Sequence, residues 1–426
     1  MFENFLFKNK HLVFLFFIVL IFFREINIFL FPRLWAEEGT VHIQSIFEYG
    51  LWDSLWKPHL GYYSFLNNII TSTGILFFGL KQINVYNTAI AFIFYIASVF
   101  SVYGLKSSFW DTETKRFFVI LSALAFCSGE MWMSIIYIQF YLGLFALLFG
   151  LSNINSQNIK FYIISLVMLF LGCITGVITL LIAPIFLFRF FIKEISLKKF
   201  IPIAITFLLG LFVQLIILMK ADVISEISRF SLNYLNNFFV GLGNTFINTT
   251  FIGFGYLLLK ILMGLILILL VFLCIRNSNY KIKNYIPLVF GIFLGVILTF
   301  LSYRMYGGPR YGFVPIISIF IFLINFIFDK NTNSLEKLGT NYLFLKILIT
   351  LVFLINMVNF FNINKFYDVN WPRYDLDNLI VYPYGYYLEI FPQWSEYPEK
   401  YNYKIIISEK NLNKYREGIL NKTIEH

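Results

Sequence analysis

The sequence predicts an all-α polytopic membrane protein, and three observations carry that prediction. Of its 426 residues, 59% are hydrophobic and only 13% charged, about half the charge that solvates a soluble domain. The mean hydropathy is +0.75. Apolar runs of about 18 residues or more recur along the chain, the length that spans a bilayer as a helix. A soluble enzyme, a disordered chain and a disulfide scaffold are excluded.

The net charge of +10 does not point to nucleic acid, because Lys and Arg gather at the ends of apolar segments, where they set orientation in a bilayer. The first segment, 11–31, follows Lys8 and Lys10 and lacks a small-residue cleavage site. It reads as a retained helix with the N-terminus in the cytoplasm. Further apolar segments are 61–80, 84–104, 117–133, 135–152, 161–175, 177–192, 200–219, 251–275, 285–303, 312–328 and 341–362. Lys193, Lys198 and Lys199, then Arg276, Lys281 and Lys283, mark cytoplasmic loops and place the chain after 362 outside.

An N-terminus inside and a tail outside require an odd number of crossings, about 11. In one reading 61–80 is re-entrant, broken near Thr71–Gly74, which keeps Lys106, Lys115 and Arg116 cytoplasmic. In the other, 161–192 is a single helix broken through Gly172 and Gly176. The first obeys the positive-inside count better. The chain therefore divides into a membrane domain, 1–362, whose first extracytoplasmic loop is 32–60, and a short extracytoplasmic α/β appendage, 363–426, in which KIIISEK reads as a strand.

Loop 32–60 is acidic, aromatic and amphipathic, with Ile43, Ile46, Phe47 and Leu51 near helical spacing, as an interfacial helix requires. It holds Glu37 and Glu38 between Trp35 and Gly39. A partly desolvated carboxylate at the membrane boundary has the raised basicity of a general base; the ordinary alternative is acids favouring a helix start. Arg304 and Arg310 flank Gly307-Gly308-Pro309 on an outward loop, where arginines need an anionic partner, and a guanidinium matches phosphate oxygens in a fork. Tyr311 opens the next helix, whose N-terminus also suits an anion. His59 and Tyr62, in PHLGYY, stand near the return to the membrane, where His59 could donate to a substrate hydroxyl or phosphate. Arg24 and Glu25, inside the first segment, predict a structural pairing with a neighbouring helix. Cys127, Cys173 and Cys274 form no CxxC or Cys/His cluster.

The layout WAEEG, PHLGYY, GGPRYGFVP and a short tail containing FPQW resembles bacterial multi-pass glycosyltransferases of the GT-C superfamily, and more narrowly members with a Trp-Ala-Glu-acid-Gly stretch in the first outer loop. That resemblance implies transfer of a sugar from a polyprenyl-phosphate donor to a glycan, lipid or protein acceptor outside the bacterial inner membrane. It implies a general base at Glu37 or Glu38 and a phosphate site at Arg310 with Arg304 in support. Substrate contacts then extend to Trp35, His59, Tyr62 and Tyr311. No metal ligands are assigned, and a divalent cation held weakly by the two glutamates stays open. Competing readings are a transporter or flippase of lipid-linked saccharides, which has no need of a fixed outer carboxylate, and a non-catalytic scaffold.

Overall fold

The computed structural model describes residues 9–24, 26–30, 32, 34, 37–59, 62–128, 131–220, 232–249, 257–276, 281–301, 308–328, 340–361, 380–382, 385–393 and 402–407. Trp35, Arg304, Glu25 and the side chain of His59 lie outside the described residues. Five of the described helices are long and apolar enough to cross a membrane: Phe65–Gly104, Leu197–Met219, Leu258–Arg276, Ile282–Leu301 and Pro309–Phe328. Shorter apolar helices, among them His11–Arg24, Ile135–Leu151, Ile159–Thr175 and Val177–Phe191, pack with them. The chain is a helical membrane protein, in agreement with its composition.

The bundle is organised around the helix Ile138–Leu151, every residue of which is buried. A helix that is apolar all round belongs at the centre of a bundle. It packs against the helices Phe65–Gly104, Ile159–Thr175, Val177–Leu180, Ala183–Phe191 and Pro309–Phe328. Its polar residues sit at its ends, with Gln139 at one and Ser152 just past the other. These two residues are thus about 20 Å apart along the helix.

Two sequence expectations are corrected. The segments 61–80 and 84–104 form two helical arms, as their separation in sequence suggests, but the break falls between them at Gly79 (φ 69°), not within the first at Thr71–Gly74. A positive φ is open to glycine at little cost, so the turn is made there. The two arms fold back on each other. Thr73 Oγ1 lies 3.2 Å from Tyr86 Oη, although 13 residues of straight helix would separate them by about 20 Å. The second concerns the less favoured alternative for 161–192: the chain reverses there, in keeping with the separate segments 161–175 and 177–192, and does not run on as one broken helix. Ile159–Thr175 starts near Lys199, bonded by Tyr162, and ends beside Gln214, bonded to the Cys173 carbonyl. The chain then turns at Gly176 and returns, so that Arg189 reaches Gly150 and Ser152 at the starting end.

The appendage contains three described strands: β3 (Ile380–Tyr382), β4 (Gly385–Gln393) and β5 (Asn402–Ile407). They form one antiparallel sheet in the order β3-β4-β5, with Leu388 opposite Ile405. The strand expected from KIIISEK is β5. It packs against residues 38–49 of the acidic loop.

Candidate active site

The acidic loop leaves the first helix and winds into a π-helix, Glu38–Ile43, followed by the short helices Gln44–Tyr49 and Leu51–Ser54. The apolar positions expected to lie along an interface, Ile43, Ile46 and Phe47, face the protein and are buried. π-Helical turns are rare and recur at functional sites. Here the turn separates the two glutamates. Glu38 is 1% exposed, whereas Glu37 is half-buried.

Glu38 Oε1 accepts the Ser134 hydroxyl at 2.9 Å and the Ile135 amide at 2.8 Å. These bonds offset the desolvation of a buried carboxylate. Arg24 grips the same segment from its other end. Its Nη2 donates to the Cys127 carbonyl at 2.6 Å, and the guanidinium stacks 4.1 Å over the Trp132 ring. Arg24 thus pairs with a backbone carbonyl and an indole face of the neighbouring segment. Residues 131–134 are buried, and Met133 has φ 55°, a conformation that costs a non-glycine residue on the order of 1–3 kcal/mol. The segment needs this firm hold because it feeds directly into Tyr137 and Gln139.

Those two residues meet the other half of the site. Gln139 Nε2 donates to Tyr62 Oη at 3.0 Å, and Arg310 Nη1 lies 3.5 Å from Tyr137 Oη. The Arg310 guanidinium also sits 5.1 Å from the ring of Tyr311. Burial raises the pKa of the Tyr62 hydroxyl; Tyr311 and Glu37 act in the same direction and Arg310 opposes them. Glu37, Tyr62, Arg310 and Tyr311 therefore share one electrostatic neighbourhood, assembled from both ends of the chain.

Two glycines permit that assembly. A Cβ on Gly176 would lie 2.3 Å from Gln139 Oε1, and a Cβ on Gly312 would lie 2.0 Å from Thr249 Oγ1 and 2.2 Å from the Thr245 carbonyl. Thr249 in turn donates to the Pro309 carbonyl at 3.0 Å. A second π-helix, Asn244–Asn248, thereby fixes the first turn of the helix that carries Arg310.

Sequence reasoning missed two residues that shape the site. Asn68 Nδ2 donates to the Leu55 and Lys57 carbonyls (3.1 and 2.9 Å), so its Oδ1 must accept from His42 Nδ1, 2.8 Å away. This fixes the proton of the neutral imidazole on Nδ1. Burial lowers the His42 pKa to about 4, with the Asn68 bond opposing. Gln214 holds the hairpin of β1 (Pro58–His59) and β2 (Tyr62–Tyr63) by accepting from Tyr63 N at 2.7 Å and donating to its carbonyl at 2.8 Å. Neither residue stands in a motif, and their partners are far away in sequence.

Chemically, the arrangement offers a half-exposed carboxylate, a guanidinium and two phenol rings, supported by a buried, fixed second carboxylate. No group of three or more His, Cys, Asp or Glu side chains suited to a metal gathers among the described residues. Compared with protein-family models, curated proteins and solved structures, the chain matches none.

Proposed function

We propose that the protein is a GT-C-type glycosyltransferase that moves a sugar from a polyprenyl-phosphate donor to an envelope glycan, lipid or protein acceptor. The observation that carries the reading is that one segment gathers the acidic loop, Tyr62 and Arg310: Glu38 accepts from Ser134 and Ile135, Gln139 donates to Tyr62 at 3.0 Å, and Arg310 lies 3.5 Å from Tyr137 Oη. The reaction needs a base for the acceptor hydroxyl and a cation for the departing phosphate, and Glu37 and Arg310 supply both. Glu37 takes the acceptor proton as the oxygen attacks the anomeric carbon. The bond from that carbon to the lipid phosphate breaks, and its electron pair leaves with the phosphate, held by Arg310. Glu38, enclosed and bonded to Ser134 and Ile135, positions the segment that carries Tyr137 and Gln139. Trp35, Arg304 and His59 complete the substrate contacts in this reading, and a divalent cation at the glutamates remains compatible with it.

In the same reading the protein sits in the bacterial inner membrane with about 11 crossings, its N-terminus cytoplasmic and the site outward. Two observations support this. The arm 65–78 folds back at Gly79 onto the arm that follows, which suits a re-entrant segment, and basic residues such as Lys106 and Lys283 collect at the Arg189 end of the bundle, away from Glu37.

The test is transfer from radiolabelled polyprenyl-phosphate sugars to native envelope lipids in membranes bearing wild type, Glu37→Gln or Glu38→Gln. Glu37→Gln is expected to lose transfer by about 100-fold or more, as for removal of a general base, while still binding donor. If both variants transfer as well as wild type, the acidic loop is structural and the proposed mechanism fails.

A further inference from the structure

We propose that the end of the bundle opposite Glu37 carries a second site, for a phosphate-bearing anion. A cleft of about 380 Å³ opens there, lined by Ser108, Asn153, Ser156, Arg189, Lys283 and Asn284, with Glu194 also on its wall. It lies where the loop after Gly104, the loop after Leu151, the end of helix Ala183–Phe191 and the 3-10 turn Ile282–Tyr285 meet.

Arg189 makes this a built site. The residue is 4% exposed, and three of its donor directions are committed: Nε to Glu194 Oε2 at 2.8 Å, and Nη1 to the Gly150 and Ser152 carbonyls at 2.5 and 2.7 Å. Among the described residues Nη2 has no partner, yet it is not sealed off by protein. Its N–H groups are therefore held by a fixed guanidinium on the cleft wall, and the rotamer cost of ordering them is already met by the fold. Planar, fixed N–H donors of this kind match phosphate oxygens.

The charge around the cleft selects the same ligand. The carboxylates near it are neutralised: Glu194 by Arg189, Asp111 by Lys115 and Glu113 by Arg116. Lys106, Lys160, Lys193, Lys198, Lys281 and Lys283 have no carboxylate partner among the described residues. The cleft thus sits inside a positive field, with the exposed Lys283 as its lining cation and Ser108, Asn153 and Asn284 as neutral hydrogen-bonding groups. Such a field concentrates anions at the mouth. The shared chemistry is a phosphate group, carried either by a lipid headgroup at the membrane surface or by a soluble phosphate compound. This inference does not depend on the proposed transfer reaction.

The test uses the full-length protein and two probes. Inorganic pyrophosphate is titrated calorimetrically into protein in neutral, phosphate-free detergent. In parallel, phosphatidic acid retention is measured in phosphatidylcholine nanodiscs. Lys283→Gln with Ser108→Ala, both at exposed positions, should weaken binding about tenfold, the worth of a charge-assisted hydrogen bond. Lys193→Gln with Lys198→Gln, which removes charge outside the cleft, should leave most of it. Pyrophosphate binding with this pattern identifies a soluble ligand, and retention of phosphatidic acid alone with this pattern identifies a headgroup. Equal weakening by both variant pairs, or no binding of either probe to wild type, overturns the proposal.

Discussion

Glu38 Oε1 lies 2.8 Å from the amide nitrogen of Ile135, at the first turn of the segment that becomes the central helix Ile138–Leu151. The contact joins the acidic loop to the middle of the bundle, and Arg24 secures the same segment at Cys127. Removing the carboxylate in Glu38→Ala leaves the Ser134 hydroxyl and the Ile135 amide without this acceptor. The expected loss is about 2–4 kcal/mol, while Glu38→Gln, which keeps an acceptor oxygen, should lose about 1 kcal/mol. Thermal unfolding in detergent measures both. If Glu38→Ala melts with wild type, Glu38 is not the clamp described.

His42 should make stability depend on pH in a defined window. Its folded pKa, about 4, lies below the ordinary 6.5, so the unfolded chain binds the proton more tightly. The contribution is fully present above about 6.5 and is lost as pH falls from there to about 4, to a maximum of about 3 kcal/mol. The difference in melting temperature between wild type and His42→Leu, followed from pH 7 to pH 4, isolates this from other titrating groups. A difference that stays constant with pH would show that His42 is not buried as described.

Gly312 and Gly308 provide a matched pair. A Cβ on Gly312 meets Thr249 Oγ1 and a backbone carbonyl, whereas the nearest atom to a Cβ on Gly308 is Tyr311 Cδ2, at 4.0 Å. Gly312→Ala should cost about 1–3 kcal/mol by overpacking and, in the proposed reaction, reduce transfer by displacing Arg310. Gly308→Ala should be close to neutral in both measurements.

Gln214 bonds to both the amide and the carbonyl of Tyr63, and to the carbonyl of Cys173. Glu at this position accepts but cannot donate to the two carbonyls. Gln214→Glu and Gln214→Leu should each cost about 2–3 kcal/mol. Amide hydrogen exchange at Tyr63 should rise in Gln214→Leu, and unchanged protection there counts against the clamp.

The packing of β5 on residues 38–49 predicts communication between the tail and the acidic loop. A chain ending at Phe361 should still insert in the membrane, because the apolar helices precede that point. Exchange of the amides of 38–49 should increase in it, and unchanged exchange would show that β5 does not cover the loop.

Composition and apolar run length were enough to read a helical membrane protein, because the free energy of moving side chains into lipid is nearly additive along a segment. The same local arithmetic located the acidic pair at the exit of the first helix and Arg310 at the start of a late one. It could not distinguish Glu37 from Glu38, since their difference in burial depends on Ser134 and Ile135, far along the chain. Nor could it locate the break at Gly79. The hydropathy pattern separates 61–80 from 84–104 but does not say which residue makes the turn, which depends on one positive φ and the contact of Thr73 with Tyr86. His42, Asn68 and Gln214 stand in no motif, and each acquires its role from a partner far along the chain. Local transfer energies thus determined that the chain is a helical membrane protein. Packing between distant segments decided which carboxylate is enclosed, which phenol Arg310 meets and where the chain turns, because those outcomes depend on neighbours that only the folded bundle brings together.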